Sequence, residues 1–329
     1  MDKAVYRVYC KGILGVKTNI SGFSWVYGSA APDVSEEEYD ACVIKMTVWV
    51  VPEKKMPRPT ACDRRFQAYT WDNSKHTISC RRTLMRTVDL GYDIQIDGNN
   101  INVVVGKNYY RLIKNRTMNL HGMYYLLADL ANIMLLKNGY LTLYASAAFC
   151  ESENRCAINF APPNTGKTYT VTNLCSRGGY QLVSEDVAIT DGTKVYSCPW
   201  TCSYRRTRSA ADSAGSLGRV KEAMVGKFRD SCDMTDLVVL SRGKNKYHRN
   251  KEEILSQICI LNGYLFQYYC SPIVKLLAYF CEEFRVPWND FAEKMIEDMV
   301  TKAECAYIRC EDPADYAEMI HQKLMGIAI

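Results

Sequence analysis

The stretch that most restricts how this chain can fold is "CAINFAPPNTGKTYTVTNLCSRGGYQLVSEDVAIT", residues 156 to 190. An apolar run, "CAINFA", reads as a strand. "PPNTGK" reads as a loop, "TYTVTNLCSRG" as a helix stopped by Gly178 and Gly179, and "YQLVSEDVAIT" as the next strand. That succession is a βαβ unit and calls for an α/β fold with a buried sheet. The loop nearly matches the phosphate-binding pattern G-x-x-x-x-G-K-[ST]. Gly166, Lys167 and Thr168 stand in their places, but Ala161 occupies the position of the first glycine.

Gly-Lys-Thr by itself carries little information, since roughly one chain in several of this length contains such a tripeptide by chance. Alone it reads as a surface turn. Its setting adds weight, because a loop between a buried strand and a helix points free N–H groups and the helix dipole at an anion. In that role the backbone around Asn164, Thr165, Gly166, Lys167 and Thr168 would wrap a phosphate. Lys167 would lie against the terminal phosphates, and the Thr168 hydroxyl would hold Mg²⁺. If the position of Ala161 demanded positive φ, alanine would resist it by about 1 kcal/mol or more. The loop therefore reads as altered, not dead.

Ser184-Glu185-Asp186 ends the following strand, where open α/β sheets gather ligands. One carboxylate there could hold a metal and the other take a proton from an attacking hydroxyl. The plainer reading is an acidic pair that ends a strand.

The remainder of the chain divides into two parts. Residues 1–117 form a β-rich N-terminal region. Its clearest element is a hairpin in which Ile94, Ile96, Ile101, Val103 and Val105 alternate around Asp97-Gly98-Asn99-Asn100. Residues 118–329 form the domain with the loop. A helix is expected from Met118 to Leu136, a buried strand at "DLVVLSRG", helices at 250–268, 272–284 and 288–302, a strand at "AYIRCED" and a closing helix that opens at Pro313. The most apolar stretch, 258–280, is interrupted by Asn262, Gln267, Pro272 and Lys275, so a buried helix pair broken at Pro272 is expected instead of a membrane span.

Composition excludes several classes. The net charge is +5 and the basic residues read as spread out, with Arg205-Arg206-Thr207-Arg208 taken as the densest run, so no nucleic-acid partner is expected. The N-terminal residues show no secretory signal, which points to the cytoplasm, where the 15 cysteines stay reduced and serve mostly as packing. Cys198 and Cys202 lack a nearby histidine, and zinc is not expected there.

Taken together, "GYLTLYASAAF", the loop, "LVSEDVAIT", "DLVVLSRG" and the final helix resemble the HPr kinase/phosphorylase-like serine kinases, whose P-loop fold is related to phosphoenolpyruvate carboxykinase. The resemblance spans about 120 to 329 and reaches the N-terminal third only loosely. It implies a P-loop kinase core of that type, using ATP and Mg²⁺ to phosphorylate a serine-like hydroxyl. The acceptor would be a protein, a peptide (a ribosomally made natural-product precursor among them) or a small molecule, with no membrane involved and a homo-oligomer left open. By position, Lys167 is its phosphate-contacting lysine, Thr168 a magnesium ligand, Asp186 the base and Glu185 the first acid, a metal ligand. Ala161 departs from the family glycine, Glu185 from aspartate and Tyr144 from a histidine. A tyrosine with a pKa near 10 cannot shuttle protons as histidine does. A further metal ligand at Asp212 and acceptor docking at 200–213 are guesses of place. The alternative is a nucleotide-binding or scaffolding protein of the same fold with impaired catalysis.

Overall fold

The computed structural model describes residues 4–23, 25–28, 31–57, 62–113, 120–198, 228–268 and 271–327. The chain divides into two compact units. One comprises Met1–Met134 with Tyr269–Pro287, and the other Leu135–Tyr268 with Trp288–Ile329. Each unit is thus discontinuous, whereas the sequence reading divides the chain once, near 117. Arg205 to Arg208, Asp212 and the loop 200–213 lie outside the described residues.

In the first unit, β1 (Val5–Cys10), β2 (Leu14–Thr18), β3 (Ile44–Val51), β4 (Arg64–Phe66), β5 (Tyr69–Asp72), β6 (Thr77–Leu84), β7 (Val88–Asp97) and β8 (Asn100–Gly106) form one sheet ordered β1-β2-β3-β8-β7-β6-β5-β4. Strand alternation builds its apolar face. Val48, Val103, Ile94 and Ile78 lie abreast on four neighbouring strands, and none is more than 1% exposed. The expected hairpin is β7–β8. Gly98 takes φ +58° at the first position of its turn, a backbone that glycine adopts without a Cβ penalty. The helices α1 (Glu36–Asp40), α2 (Lys107–Leu112) and α3 (Met123–Lys137) follow in chain order, α3 starting later than the expected Met118.

The second unit holds two sheets. Its chain order is β9 (Leu141–Leu143), β10 (Ala145–Cys150), β11 (Arg155–Phe160), α4 (Lys167–Ser176), β12 (Tyr180–Ser184), β13 (Ala188–Thr190), β14 (Lys194–Tyr196), β15 (Ser231–Asp233), β16 (Asp236–Arg242), β17 (Lys246–His248) and α5 (Lys251–Tyr268). The chain then contributes α6 (Ile273–Phe280) to the first unit and returns as α7 (Trp288–Lys302), β18 (Glu304–Cys310) and α8 (Pro313–Leu324). The helices expected as a buried pair broken at Pro272 therefore belong to different units. No described helix is long and apolar enough to cross a membrane.

The six-stranded sheet runs β12-β10-β11-β16-β18-β17. Leu237 to Leu240 of β16 are at most 1% exposed, as expected of a central parallel strand covered on both faces. One face packs Ile254 and Ile258 of α5 with Ile296 and Met299 of α7. The other packs Val171 and Leu174 of α4 with Tyr316 and Ile320 of α8. Two expectations need correction. The crossover from β11 through α4 does not return beside β11, because the antiparallel β10 lies between β11 and β12. "YQLVSEDVAIT" is also not one strand. It breaks after Ser184, whose Oγ donates to the Val187 carbonyl at 2.6 Å, and the chain passes into a second sheet ordered β15-β14-β13-β9. A serine side chain bonding its own downstream backbone diverts the strand from its ladder.

Most of the described cysteines are buried, in keeping with a packing role; Cys202 lies outside the described residues.

One buried acid gives the first unit a pH dependence. Asp129 of α3 accepts a hydrogen bond from the Ser271 N–H at 2.6 Å, and burial pushes its pKa up to about 7. Between its ordinary value of 3.8 and about 7 the folded unit keeps a proton that the unfolded chain has lost, so stability falls as pH rises across that window. At ~1.4 kcal/mol per pH unit the loss is roughly 4 kcal/mol. Asp129→Asn keeps an acceptor for Ser271 and cannot ionise. Its melting temperature should change little between pH 5 and pH 8, while that of the wild type falls; parallel slopes would remove Asp129 as the cause.

Candidate functional site

The strands β11, β16, β18 and β12 all point their carboxyl ends to the same edge of the six-stranded sheet. The loop 161–166 leaves β11 at that edge, and Glu185-Asp186 leave β12 there. The topology thus brings together two segments that are twenty residues apart.

Within the loop, the demand for left-handed backbone falls where the sequence reading did not place it. Asn164 takes φ +64° and Gly166 φ +126°, while Ala161 is absent from the residues with positive φ. Ala161 is fully buried and packs into the core under α4. The condition for strain at Ala161, a positive φ, is not met, and its small side chain suits a buried strand end. Gly166 is the constrained position. A Cβ there would come 2.9 Å from the Cβ of Pro313, in addition to the strain of its φ.

Gly166 is the N-cap of α4, and the first helical N–H to be satisfied within the turn is that of Thr170, on Gly166 O at 2.9 Å. The preceding N–H groups make the anion-facing end of the helix. Thr165 is buried, Thr168 half-buried and Asn164 exposed.

Lys167 is 5% exposed, which for a lysine requires compensation. Its Nζ donates to the Ala161 carbonyl at 2.9 Å, lies 3.6 Å from the centre of the Tyr144 ring and stands 3.8 Å from Asp186 Oδ1. A ring face, a carbonyl and a carboxylate thus share one ammonium. The contact between the Tyr144 ring and Lys167 is a cation–π one, worth about 0.5–2 kcal/mol in such settings.

The two carboxylates separate by exposure. The Asp186 side chain is 28% exposed, with its Oδ1, the oxygen that faces Lys167, buried. Glu185 is 3% exposed, and its Oε2 is buried without a hydrogen-bond partner. An orphaned buried carboxylate oxygen is costly unless a cation or donor meets it. An all-oxygen set of Glu185 and the Thr168 hydroxyl suits a hard cation such as Mg²⁺ that keeps several waters. Among the described residues there is no cluster of three or more His, Cys, Asp or Glu side chains that could hold a metal on their own.

Some contributors were not foreseen. Asn262 of α5, 2% exposed, accepts from the Tyr144 N–H at 2.9 Å and donates to the Thr142 carbonyl at 3.2 Å. It thereby fixes the break between β9 and β10 where Tyr144 sits. Asn159, two residues before Ala161, is fully buried and has an Oδ1 without a partner, and its amide reaches Ser146 Oγ at 3.5 Å. A polar residue inside the apolar "CAINFA" was the signal available for Asn159. Asn262 had appeared only as an interruption of a hydrophobic run.

No family model matches this chain, and no curated protein matches it. Among solved structures it is similar to the Hpr(Ser) kinase/phosphatase from Coxiella burnetii, at 14% identity and a TM-score of 0.22, over 33% of this chain and 77% of that one. At that score the likeness decides neither fold nor activity.

Proposed function

We propose that the second unit is a P-loop kinase core of the HPr kinase/phosphoenolpyruvate carboxykinase type. It would transfer the terminal phosphoryl group of ATP, with Mg²⁺, to a serine-like hydroxyl of a protein, peptide or small molecule in the cytoplasm. The observation that carries this reading is the placement of Lys167, at the start of α4, against the half-exposed carboxylate of Asp186.

The residues divide the work as follows. The loop backbone from Asn164 to Thr168 and the α4 N-terminus bind phosphate. Lys167 offsets charge on the outer phosphates. Asp186 takes the proton from the acceptor hydroxyl as its oxygen bonds to the γ-phosphorus. The bond from that phosphorus to the β–γ bridging oxygen breaks, and ADP leaves with the electron pair. Glu185 and Thr168 would hold Mg²⁺, which when bound supplies charge neutralisation to the phosphates.

The test has two readouts. Saturating MgATP, at about 100 times its Kd, should stabilise the protein by about 2.7 kcal/mol, seen as a higher melting temperature. Labelled γ-phosphate should pass to a hydroxyl-bearing peptide or metabolite produced by the genomic neighbours. Stabilisation without transfer to any acceptor would favour the impaired nucleotide-binding protein. A melting temperature unmoved by MgATP would sink both readings.

A further inference from the structure

Residues 242 to 251, "RGKNKYHRNK", hold Arg242, Lys244, Lys246, Arg249 and Lys251, a longer though sparser basic run than Arg205 to Arg208. Neutral residues separate its charges, so the run is inconspicuous in the sequence. The fold draws it into a ridge. β16 ends at Arg242, the chain turns through Gly243 at φ +139°, and β17 pairs with β18 so that Lys246 lies opposite Arg309. Residues directly opposite share a face, and Arg309 runs its stem beneath Gly243, where an added Cβ would come 3.0 Å from its Cδ.

The ridge stands beside the candidate phosphate loop. β16 continues three residues past the partner of Phe160, which carries Arg242 about 10 Å further along the sheet, toward the level of the loop. Asn245 Oδ1 accepts from the Glu311 N–H at 3.4 Å, and two residues on, Pro313 is the side chain that abuts Gly166.

Arg249 donates to the Tyr247 hydroxyl at 2.9 Å, Lys251 to the Thr301 carbonyl at 2.9 Å and Arg309 Nη2 to the Tyr307 hydroxyl at 3.1 Å, but the charges at the loop end of the ridge meet no carboxylate among the described residues. Arg7, Lys17, Arg81, Arg155 and Arg177 each meet a carboxylate within the described structure. The exposed Arg242, Lys244 and Lys246 meet none within 4.0 Å among the described residues, and the buried Arg309 Nε has no hydrogen-bond partner. The neighbouring acids are Glu253, which pairs with His248 at 3.3 Å, and the exposed Glu304 and Glu311.

We propose that Arg242, Lys244 and Lys246 form the docking surface for the phosphate acceptor, and that the acceptor is an acidic polypeptide segment. The word acceptor rests on the kinase reading above; the acidic-peptide surface does not. A polypeptide fits better than a nucleic acid for three reasons. β17 is the edge strand of its sheet among the described residues, so an extended chain can add to it through main-chain hydrogen bonds. Glu311, whose N–H meets Asn245 between Lys244 and Lys246, interrupts the positive stripe that a continuous phosphate backbone would need. The two rings of β17 are both engaged, His248 stacked on the buried Tyr307 at 4.7 Å and Tyr247 packed against the core with the Arg249 guanidinium 5.8 Å from its ring, which disfavours base stacking.

The probe is a fluorescein-labelled decapeptide of alternating glutamate and serine, titrated without nucleotide at 20 and 200 mM salt and read by anisotropy. A Lys-Ser peptide and a single-stranded oligonucleotide serve as comparisons. Wild type should bind the acidic peptide more tightly at low salt, and Lys244→Glu/Lys246→Glu should weaken it by about tenfold or more. Lys294→Glu, an exposed reversal on α7, should leave binding unchanged. Equal affinity in wild type and the double variant overturns the proposal. So does tighter, equally ridge-dependent binding of the oligonucleotide, or no peptide binding at 20 mM salt. The MgATP melting shift of the double variant is read in parallel. A wild-type melting temperature unmoved by MgATP removes the kinase reading, while the titration still decides the surface.

Discussion

Asp186→Asn is expected to reduce phosphotransfer by about 10²–10⁴-fold, the usual worth of a positioned general base. Asparagine matches aspartate in shape but neither carries charge nor accepts a proton from a hydroxyl at neutral pH. The substitution removes the carboxylate that stands 3.8 Å from Lys167 Nζ, yet the ammonium keeps the Ala161 carbonyl at 2.9 Å and the Tyr144 ring at 3.6 Å. Lys167 should therefore stay in place, and the MgATP-induced rise in melting temperature should stay close to that of the wild type. Loss of transfer with binding retained assigns Asp186 to the chemical step. Transfer at the wild-type rate would remove it as base, and loss of both readouts would mean that it chiefly holds the lysine.

The choice of Asp186 over Glu185 for this experiment comes from the structure. In the sequence the two are adjacent carboxylates whose roles only the family resemblance separates. One oxygen of each carboxylate is buried, but Glu185 is 3% exposed whereas the Asp186 side chain is 28% exposed. An acceptor hydroxyl can approach the second and not the first.

What the sequence could reveal was local. The β7–β8 hairpin shows in the alternation from Ile94 to Val105 because each of those residues faces one side of a sheet. The helix Trp288–Lys302 and the closing helix at Pro313 follow from helical spacing and a proline whose missing N–H costs nothing in a first turn. The order of strands was not legible. That β10 separates β11 from β12 depends on pairings that no short window contains. Ser184 ends its strand through a single hydroxyl, and Asn262 holds the backbone of Tyr144 from 118 residues away. Whether Ala161 is strained was not legible for a similar reason. The motif shows that a glycine is missing there, but only the path of the backbone shows that positive φ falls on Asn164 and Gly166.

Asp236 should produce the largest loss of stability, and from the opposite end of the sheet. The sequence marks it only as the first residue of an apolar strand. In the fold it is fully buried and receives Arg155 through Nε and Nη2, the Lys323 ammonium, and the Thr235 hydroxyl at 2.8 Å. Lys323 is itself 6% exposed. Asp236→Ala leaves two cations sharing a site with no carboxylate between them, at a cost of about 3–5 kcal/mol. For a unit of this size that corresponds to a fall in melting temperature of about 10 °C. Lys323→Met should cost much less, because the Arg155–Asp236 pair survives and the methionine stem fills the same space. Equal losses in the two variants would mean that the site depends on packing, not charge. The carboxylate sits at the start of β16, the far end from the loop at 161–166, so Asp236→Ala protein kept below its melting point should still be stabilised by MgATP. Asp186→Asn should show the reverse pattern, intact stability with lost transfer. The pair of substitutions thus separates what holds this unit together from what it does.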